Sequence, residues 1–264
     1  VPVWFDRLRG WPGQQIESDV PDAESTVTAY TSFDMDGFTI AGSNGNLNFS
    51  AARTYANWCF KRAPSFFDEV CYTGTGSATT VTHNLGVAPT LWIVKKRSAS
   101  DSWAVGYASG GANAYLTLQT TDATASDGGV LWNNALPTSS VINLGSSTVV
   151  NGSGSTYVAY LFATCAGVSK VGSYIATGTL TTIDCGFTGG ARFVMIKKTN
   201  NVGNWYVWDT ARGMVAGTDY WLALNSINTE SNVNLCYTTL GGFQLPAATA
   251  VNNSGDTYIY LAIA

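Results

Sequence analysis

A histidine, a scatter of carboxylates and five cysteines are the residues from which this chain could build reactive chemistry. His83 is the lone histidine; it precedes Asn84-Leu85-Gly86 and has no counterpart elsewhere. A Ser–His–Asp relay through it would assemble only in space, and no Gly-x-Ser-x-Gly elbow accompanies it. Paired carboxylates would serve glycoside hydrolysis. The candidates are Asp6, Asp34, Asp36, Asp68, Glu69, Asp184, Asp209 and Asp219, and most fall in Gly/Ser/Asn-rich turns, where aspartate caps its own backbone. Asp34-Met35-Asp36-Gly37 opens like a calcium loop, but Gly45 stands where an EF-hand needs its bidentate acid. Cys59, Cys71, Cys165, Cys185 and Cys236 form no Cys-x-x-Cys pair. They read as free, mostly buried thiols, with a Cys59–Cys71 or Cys165–Cys185 bridge as the alternative. The residues therefore predict no enzyme, no metal and no cofactor.

Two further sets carry binding or bracing chemistry. Asp6-Arg7-Leu8-Arg9-Gly10 and Asp209-Thr210-Ala211-Arg212-Gly213 share Asp-x-x-Arg-Gly, whereas the middle of the chain reads Gly106-Tyr107-Ala108-Ser109-Gly110. An Asp–Arg pair three apart around a glycine turn suits a braced corner, because guanidinium and carboxylate match in a bidentate pair. The expected corner pairs are Asp6 with Arg9 and Asp209 with Arg212; a ligand or subunit contact is the alternative. Among the aromatics, Trp103 and Trp205 are equivalent and predict a shared core position. Trp132, Tyr220 and Trp221 lack obvious counterparts and are the candidates for stacking on a sugar face or anchoring an interface. The sequons at Asn48, Asn151 and Asn252 precede or fall in turns, which explains them without glycosylation.

The elements that must hold these residues repeat. Thr156-Tyr157-Val158-Ala159-Tyr160-Leu161-Phe162-Ala163 returns as Thr257-Tyr258-Ile259-Tyr260-Leu261-Ala262-Ile263-Ala264, and Thr54–Lys61 foreshadows both. Tyr55, Tyr157 and Tyr258 recur at spacings of 102 and 101 residues, too long for a solenoid unit. Leu91-Trp92-Ile93-Val94-Lys95-Lys96 matches Phe193-Val194-Met195-Ile196-Lys197-Lys198 at the same spacing. The runs are short, aromatic and β-branched, separated by Gly/Asn/Ser turns, with no helical period. They predict an all-β chain of tandem antiparallel, jelly-roll-like β-sandwich modules of about 100 residues. The copies are 1–62 (the C-terminal half of an incomplete module), 66–164 and 168–264. Leu91–Val94 and Phe193–Ile196 are apolar on both faces and predict central strands of a covered sheet. Both joints are short, so neighbouring copies should touch. The missing half of the first copy is expected upstream of Val1, with strands from another subunit as the alternative.

Charged residues make up 11% of the chain, well below the usual share, and Gly, Ser, Thr and Asn take their place. That composition suits extracellular β-proteins. A net charge of −4 offers no basic footprint for nucleic acid. No apolar run reaches the length of a membrane-spanning helix.

Taken together, Leu91–Arg97, Trp205–Gly213, the Gly-Phe pairs and Asn-x-Ser-Gly-x-Thr-Tyr resemble tandem modules of tail-fibre and other virion structural proteins of tailed bacteriophages. The resemblance implies a rigid, homotrimeric part of a virion tail appendage. It would be extracellular, partnered by itself and other virion proteins, and would present modules to a host-surface glycan. It carries over no catalytic residue. A lectin-like carbohydrate-binding region of a secreted bacterial enzyme or adhesin is the alternative reading.

Overall fold

The computed structural model of the chain describes residues 1–10, 13–27, 30–40, 47–49 and 53–264. It is built almost wholly of antiparallel strands, in sandwiches whose layers are unequal. In the second copy a six-stranded sheet runs in the order Ala125–Ser126, Ala114–Thr117, Ala104–Tyr107, Leu91–Lys96, Thr156–Phe162, Phe67–Thr73. A pair, Val141–Leu144 with Thr79–Thr82, forms a separate small sheet. The third copy repeats the six-stranded order with Ser231–Asn232, Tyr220–Ala223, Trp205–Asp209, Phe193–Lys198, Thr257–Ile263 and Ser169–Ile175. Its smaller sheet is Thr181–Asp184, Gly242–Leu245 and Tyr237–Thr239.

The Lys-Lys strands lie centrally, as their two apolar faces require: every residue of Leu91–Lys96 is buried, and all of Phe193–Lys198 except Lys198. A volume exchange confirms that the two sheets pack alike. Trp92 lies opposite Gly106, and a side chain there would run into the indole at 2.1 Å. In the third copy the large residue has changed strand, with Val194 opposite Trp208. Each pair offers one tryptophan's worth of volume to its core, as close packing demands.

The repeated Thr-Tyr motif has a definite task. Tyr157 stacks on Tyr72 at 5.1 Å between ring centroids, and Tyr258 on Tyr174 at 5.0 Å. The Tyr157 hydroxyl donates to Thr148 O at 2.6 Å and accepts from Gly152 N at 2.7 Å, pinning the turn ahead of its strand. In that turn Asn151 is fully buried and donates to Ser77 O and Gly145 O, both at 2.7 Å. Asn252 is equally buried and donates to Thr179 O at 2.6 Å and Pro246 O at 2.9 Å. Burial and full engagement leave neither side chain open to a glycan.

Of the first copy, Val3–Trp4, Gln14–Glu17 and Ser25–Thr26 form a three-stranded sheet, and Tyr30–Phe33 pairs with Phe38–Ile40. These answer to the outer strands of the later six-stranded sheets and to Tyr237–Thr239 with Gly242–Leu245. Among the described residues Thr54–Lys61, the counterpart of Thr156–Ala163, joins no ladder, yet its burial alternates as in a strand: Ala56, Trp58 and Phe60 point inward and Tyr55, Asn57, Cys59 and Lys61 outward.

The sheets of all three copies share one core. Alternate residues of each large sheet face that copy's own small sheet; the others meet in a common cluster that includes Ile16, Leu91, Ile93, Val105, Leu118, Tyr160, Phe193, Met195, Val207 and Leu261. Trp4, Trp58 and Phe60 of the first copy pack on it. The apolar outer faces of the sandwiches are therefore consumed within one chain.

Candidate functional site

The residues singled out by type and spacing converge where the copies meet. Asp6 accepts from Arg9 N at 2.9 Å and from Arg9 Nε, while Arg9 also donates to Trp4 O at 2.8 Å and to Glu24 Oε2 at 3.2 Å. Arg212 repeats the set. Its backbone N donates to Asp209 Oδ1 at 3.0 Å, its Nε to Asp209 Oδ2 at 2.6 Å, and its terminal nitrogens to Val207 O at 3.1 Å and Glu230 Oε1 at 2.8 Å. Each aspartate also receives one donor from another copy. The Tyr160 hydroxyl of the second copy donates to Asp6 Oδ2 at 2.8 Å, and the Trp58 indole of the first donates to Asp209 Oδ2 at 2.9 Å.

This explains why the middle copy lacks the motif. Trp58, Tyr160 and Leu261 are equivalent positions. Leu261 has no donor to offer, and the position equivalent to the aspartates is Tyr107, which joins Leu261 in the shared core. Two junctions are thus keyed by polar bonds, first copy on third and second on first, while Tyr107 and Leu261 both belong to the shared apolar core.

A second repeated contact docks each complete copy on its predecessor. Lys95 Nζ donates to Pro21 O at 2.9 Å and Lys197 Nζ to Thr121 O at 3.1 Å. The Trp103 indole donates to Glu17 O at 3.0 Å and the Trp205 indole to Thr117 O at 3.1 Å. Arg97 forks onto Glu24, both contacts at 2.9 Å. Burial pushes the Lys95 and Lys197 ammonium groups down to about 8, because the charge leaves water for carbonyl partners. Sequence reasoning read Lys95 and Lys197 only as strand ends. Their recurrence after four apolar residues was the signal that they are buried and directed at a neighbour.

The candidates for ligand stacking are not brought together. Trp132 is 1% exposed and lies edge-on to Trp92 at 5.5 Å, inside the second copy's own core, so it cannot stack on a sugar. Trp221 is half-buried against Tyr206 at 4.9 Å. Tyr220 is half-exposed. A shallow open depression of about 460 Å³ lies beside Gly110, Ala112–Ala114 and Thr124–Ser126, without an aromatic platform.

The reactive side chains are engaged in structure. His83 is buried; its Nε2 lies 3.2 Å from Thr138 O, and its Nδ1 accepts from Leu85 N at 3.2 Å. Asp34 sits at the hairpin turn before Phe38–Ile40 and accepts from the Ser32 and Thr39 hydroxyls at 2.8 and 2.9 Å. Gly45 lies outside the described residues. Asp68 accepts from Arg62 Nε at 2.6 Å and Asn84 N at 2.7 Å, and the fully buried Asp219 accepts from Leu235 N and Cys236 N. Asp184 accepts from Gly186 N at 2.8 Å. Glu69, buried beside Asp6, is pushed up to about 7, chiefly by desolvation and then by the charge of Asp6. All five cysteines are free, but only Cys185 and Cys236 are buried; Cys71 and Cys165 are half-buried and Cys59 is exposed. Cys59 lies outward on Thr54–Lys61. Among the described residues no group of three His, Cys, Asp or Glu side chains is placed to hold a metal, and no helix is long and apolar enough to cross a membrane.

The fold and its junctions define a tandem β-sandwich protein whose copies are fused through a common core. The chain belongs to the family described as "Domain of unknown function (DUF7483)", which it matches over residues 2–264, all three copies included. No curated protein and no solved structure matches it.

Proposed function

We propose that this chain is a structural and adhesive component of a bacteriophage tail fibre or related virion appendage, presenting its modules to a host-surface glycan. The observation that supports this reading is the use made of polar chemistry. The Asp–Arg corners, the buried lysines and the donor residues of the junctions all serve to lock three copies into one rigid body. Rigid, multiply repeated display lets weak contacts act together when several chains assemble. Because the apolar faces already meet inside each chain, a homotrimer would assemble through the outer surfaces and through other virion proteins.

Two measurements test it. The full-length protein is expected to be oligomeric by light scattering, and a strict monomer would sink the fibre reading. On arrays of host glycans the chain is expected to bind, with Tyr220→Ala reducing the signal several-fold as loss of a stacking ring does. Binding unchanged by Tyr220→Ala would remove that residue from the contact.

A further inference from the structure

The exchange that removes Asp-x-x-Arg-Gly from the middle copy reaches beyond Tyr107. In the first and third copies the corner arginine bridges to a glutamate that directly precedes the outermost strand: Arg9 to Glu24, ahead of Ser25–Thr26, and Arg212 to Glu230, ahead of Ser231–Asn232. In the second copy Gly110 stands at the arginine's position, closing the turn Ala108–Gly110, and Thr124 at the glutamate's, ahead of Ala125–Ser126. The Tyr107 hydroxyl lies 2.7 Å from Thr124 Oγ1. Its ring occupies the root of the replaced side chain, since a Cβ on Gly110 would come within 2.5 Å of it. Three charged residues have thus become neutral together.

The ground that the arginine–glutamate bridge spans in the other copies is open here. Gly110 and Thr124 both line the depression of about 460 Å³, together with Ala112, Asn113, Ala114 and Ser126. Its volume falls in the range of small-molecule sites, about 300–1,000 Å³. The lining side chains are uncharged and combine methyl groups with hydroxyls and one amide. Ser126 is exposed, so the hollow is reached directly from water. Asn113 is half-buried, and its backbone carbonyl accepts from Asp127 N at 2.9 Å. Its amide oxygen is closed to water and has no donor among the described residues. A buried acceptor without a donor destabilises the fold, and turning that oxygen into the hollow gives up no bond.

We propose that this hollow binds an acetamido sugar, an N-acetylhexosamine residue of a host-surface glycan; the proposal rests on the adhesive reading above and gives that reading a site in the second copy. The acetamido N–H supplies the donor that Asn113 Oδ1 lacks. Its methyl group lies against Ala112 and Ala114, and ring hydroxyls exchange hydrogen bonds with Ser126 and Thr124. Such a site needs no aromatic platform to discriminate, because a sugar without the N–H leaves the buried acceptor unpaired. In the first and third copies the same ground is taken by the Arg9–Glu24 and Arg212–Glu230 bridges, so the site belongs to the second copy.

The test is a titration of the isotope-labelled 264-residue chain with N-acetylglucosamine and N-acetylgalactosamine, and in parallel with glucose and galactose, followed through its amide resonances. Saturable shifts at Asn113, Thr124 and Ser126 are expected with at least one acetamido sugar, and binding of its parent hexose is expected to be about fivefold weaker or less, as loss of one hydrogen bond implies. On glycan arrays Ser126→Phe, which sets a ring over the hollow, is expected to abolish binding to N-acetylhexosamine-bearing glycans, and Asn113→Ala to weaken it about fivefold. Thr26→Phe is the control, because Thr26 lies opposite Gln14 as Ser126 lies opposite Ala114; binding is expected to be unchanged. No shift at these amides with either acetamido sugar, or equal affinity for the parent hexose, would overturn the proposal, and this titration decides it even where a variant fails to fold. Array binding that Ser126→Phe and Asn113→Ala both retain, each folded by circular dichroism, overturns the site and leaves the adhesive reading standing. A chain that titrates at this hollow yet binds no host glycan overturns the adhesive reading and leaves the hollow a sugar site.

Discussion

Arg9 has none of its side chain exposed, and its charge is held by Asp6, Glu24 and a strand carbonyl. Asp6→Ala would leave that guanidinium buried without its main counter-charge, so it is expected to cost about 3–5 kcal/mol in denaturant unfolding. Because Tyr160 donates to the same carboxylate, a double-mutant cycle of Asp6→Ala with Tyr160→Phe should show a coupling of about 1–3 kcal/mol; additive single effects would mean the two copies do not communicate through this bond. Glu69 gives the pH dependence. Its folded pKa is raised from 4.5 to about 7, so the fold favours the protonated form. Stability from this residue is full below about 4.5 and is lost as pH rises towards about 7 and above. Glu69→Gln is expected to flatten the profile between pH 5 and 8 and to raise stability at pH 8 by on the order of 1–2 kcal/mol, allowing for solvent screening. An unchanged thermal midpoint at pH 8 would count against it.

At the scale of elements, the buried Asn151 and the stacked Tyr157 fix the turn before each closing strand. Asn151→Ala is expected to destabilise by about 2–4 kcal/mol, since it leaves Ser77 and Gly145 carbonyls and the Thr75 amide unpaired; a calorimetric midpoint within error of the parent would contradict this. The strands were legible in the sequence because their periodicity is local: alternation, turn residues and the repeat each mark a strand without reference to its neighbours. The large sheets' order could be inferred from equivalence, but not their outer faces. Leu91, Ile93, Phe193 and Met195 read as apolar residues of covered strands, and nothing in one segment says that the cover is another copy. Trp132 misled for the same reason: its lack of a counterpart suggested a surface role, whereas its volume serves the second copy's core beside Trp92. The middle copy lacks Asp-x-x-Arg-Gly, and nothing in that segment alone says that Tyr107, at the aspartate's position, belongs to a core shared with the other copies.

At the scale of the molecule, the shared core makes the three copies thermodynamically one. The whole chain is expected to unfold in a single cooperative transition, whereas residues 66–164 alone would expose the face that holds Leu91, Ile93, Val158 and Phe162. Exposure of that area costs about 25 cal/mol per Å², so the excised copy is expected to bind a hydrophobic dye or aggregate rather than unfold cooperatively. A sharp transition of the excised copy with native near-ultraviolet dichroism would overturn this. The keyed junctions have a consequence for descent. A copy exchanged by recombination between two relatives would carry Asp6 away from Tyr160 or Asp209 away from Trp58. Viable crossovers must therefore either preserve these pairs or import both members at once, and so the copies of such a chain evolve as a set.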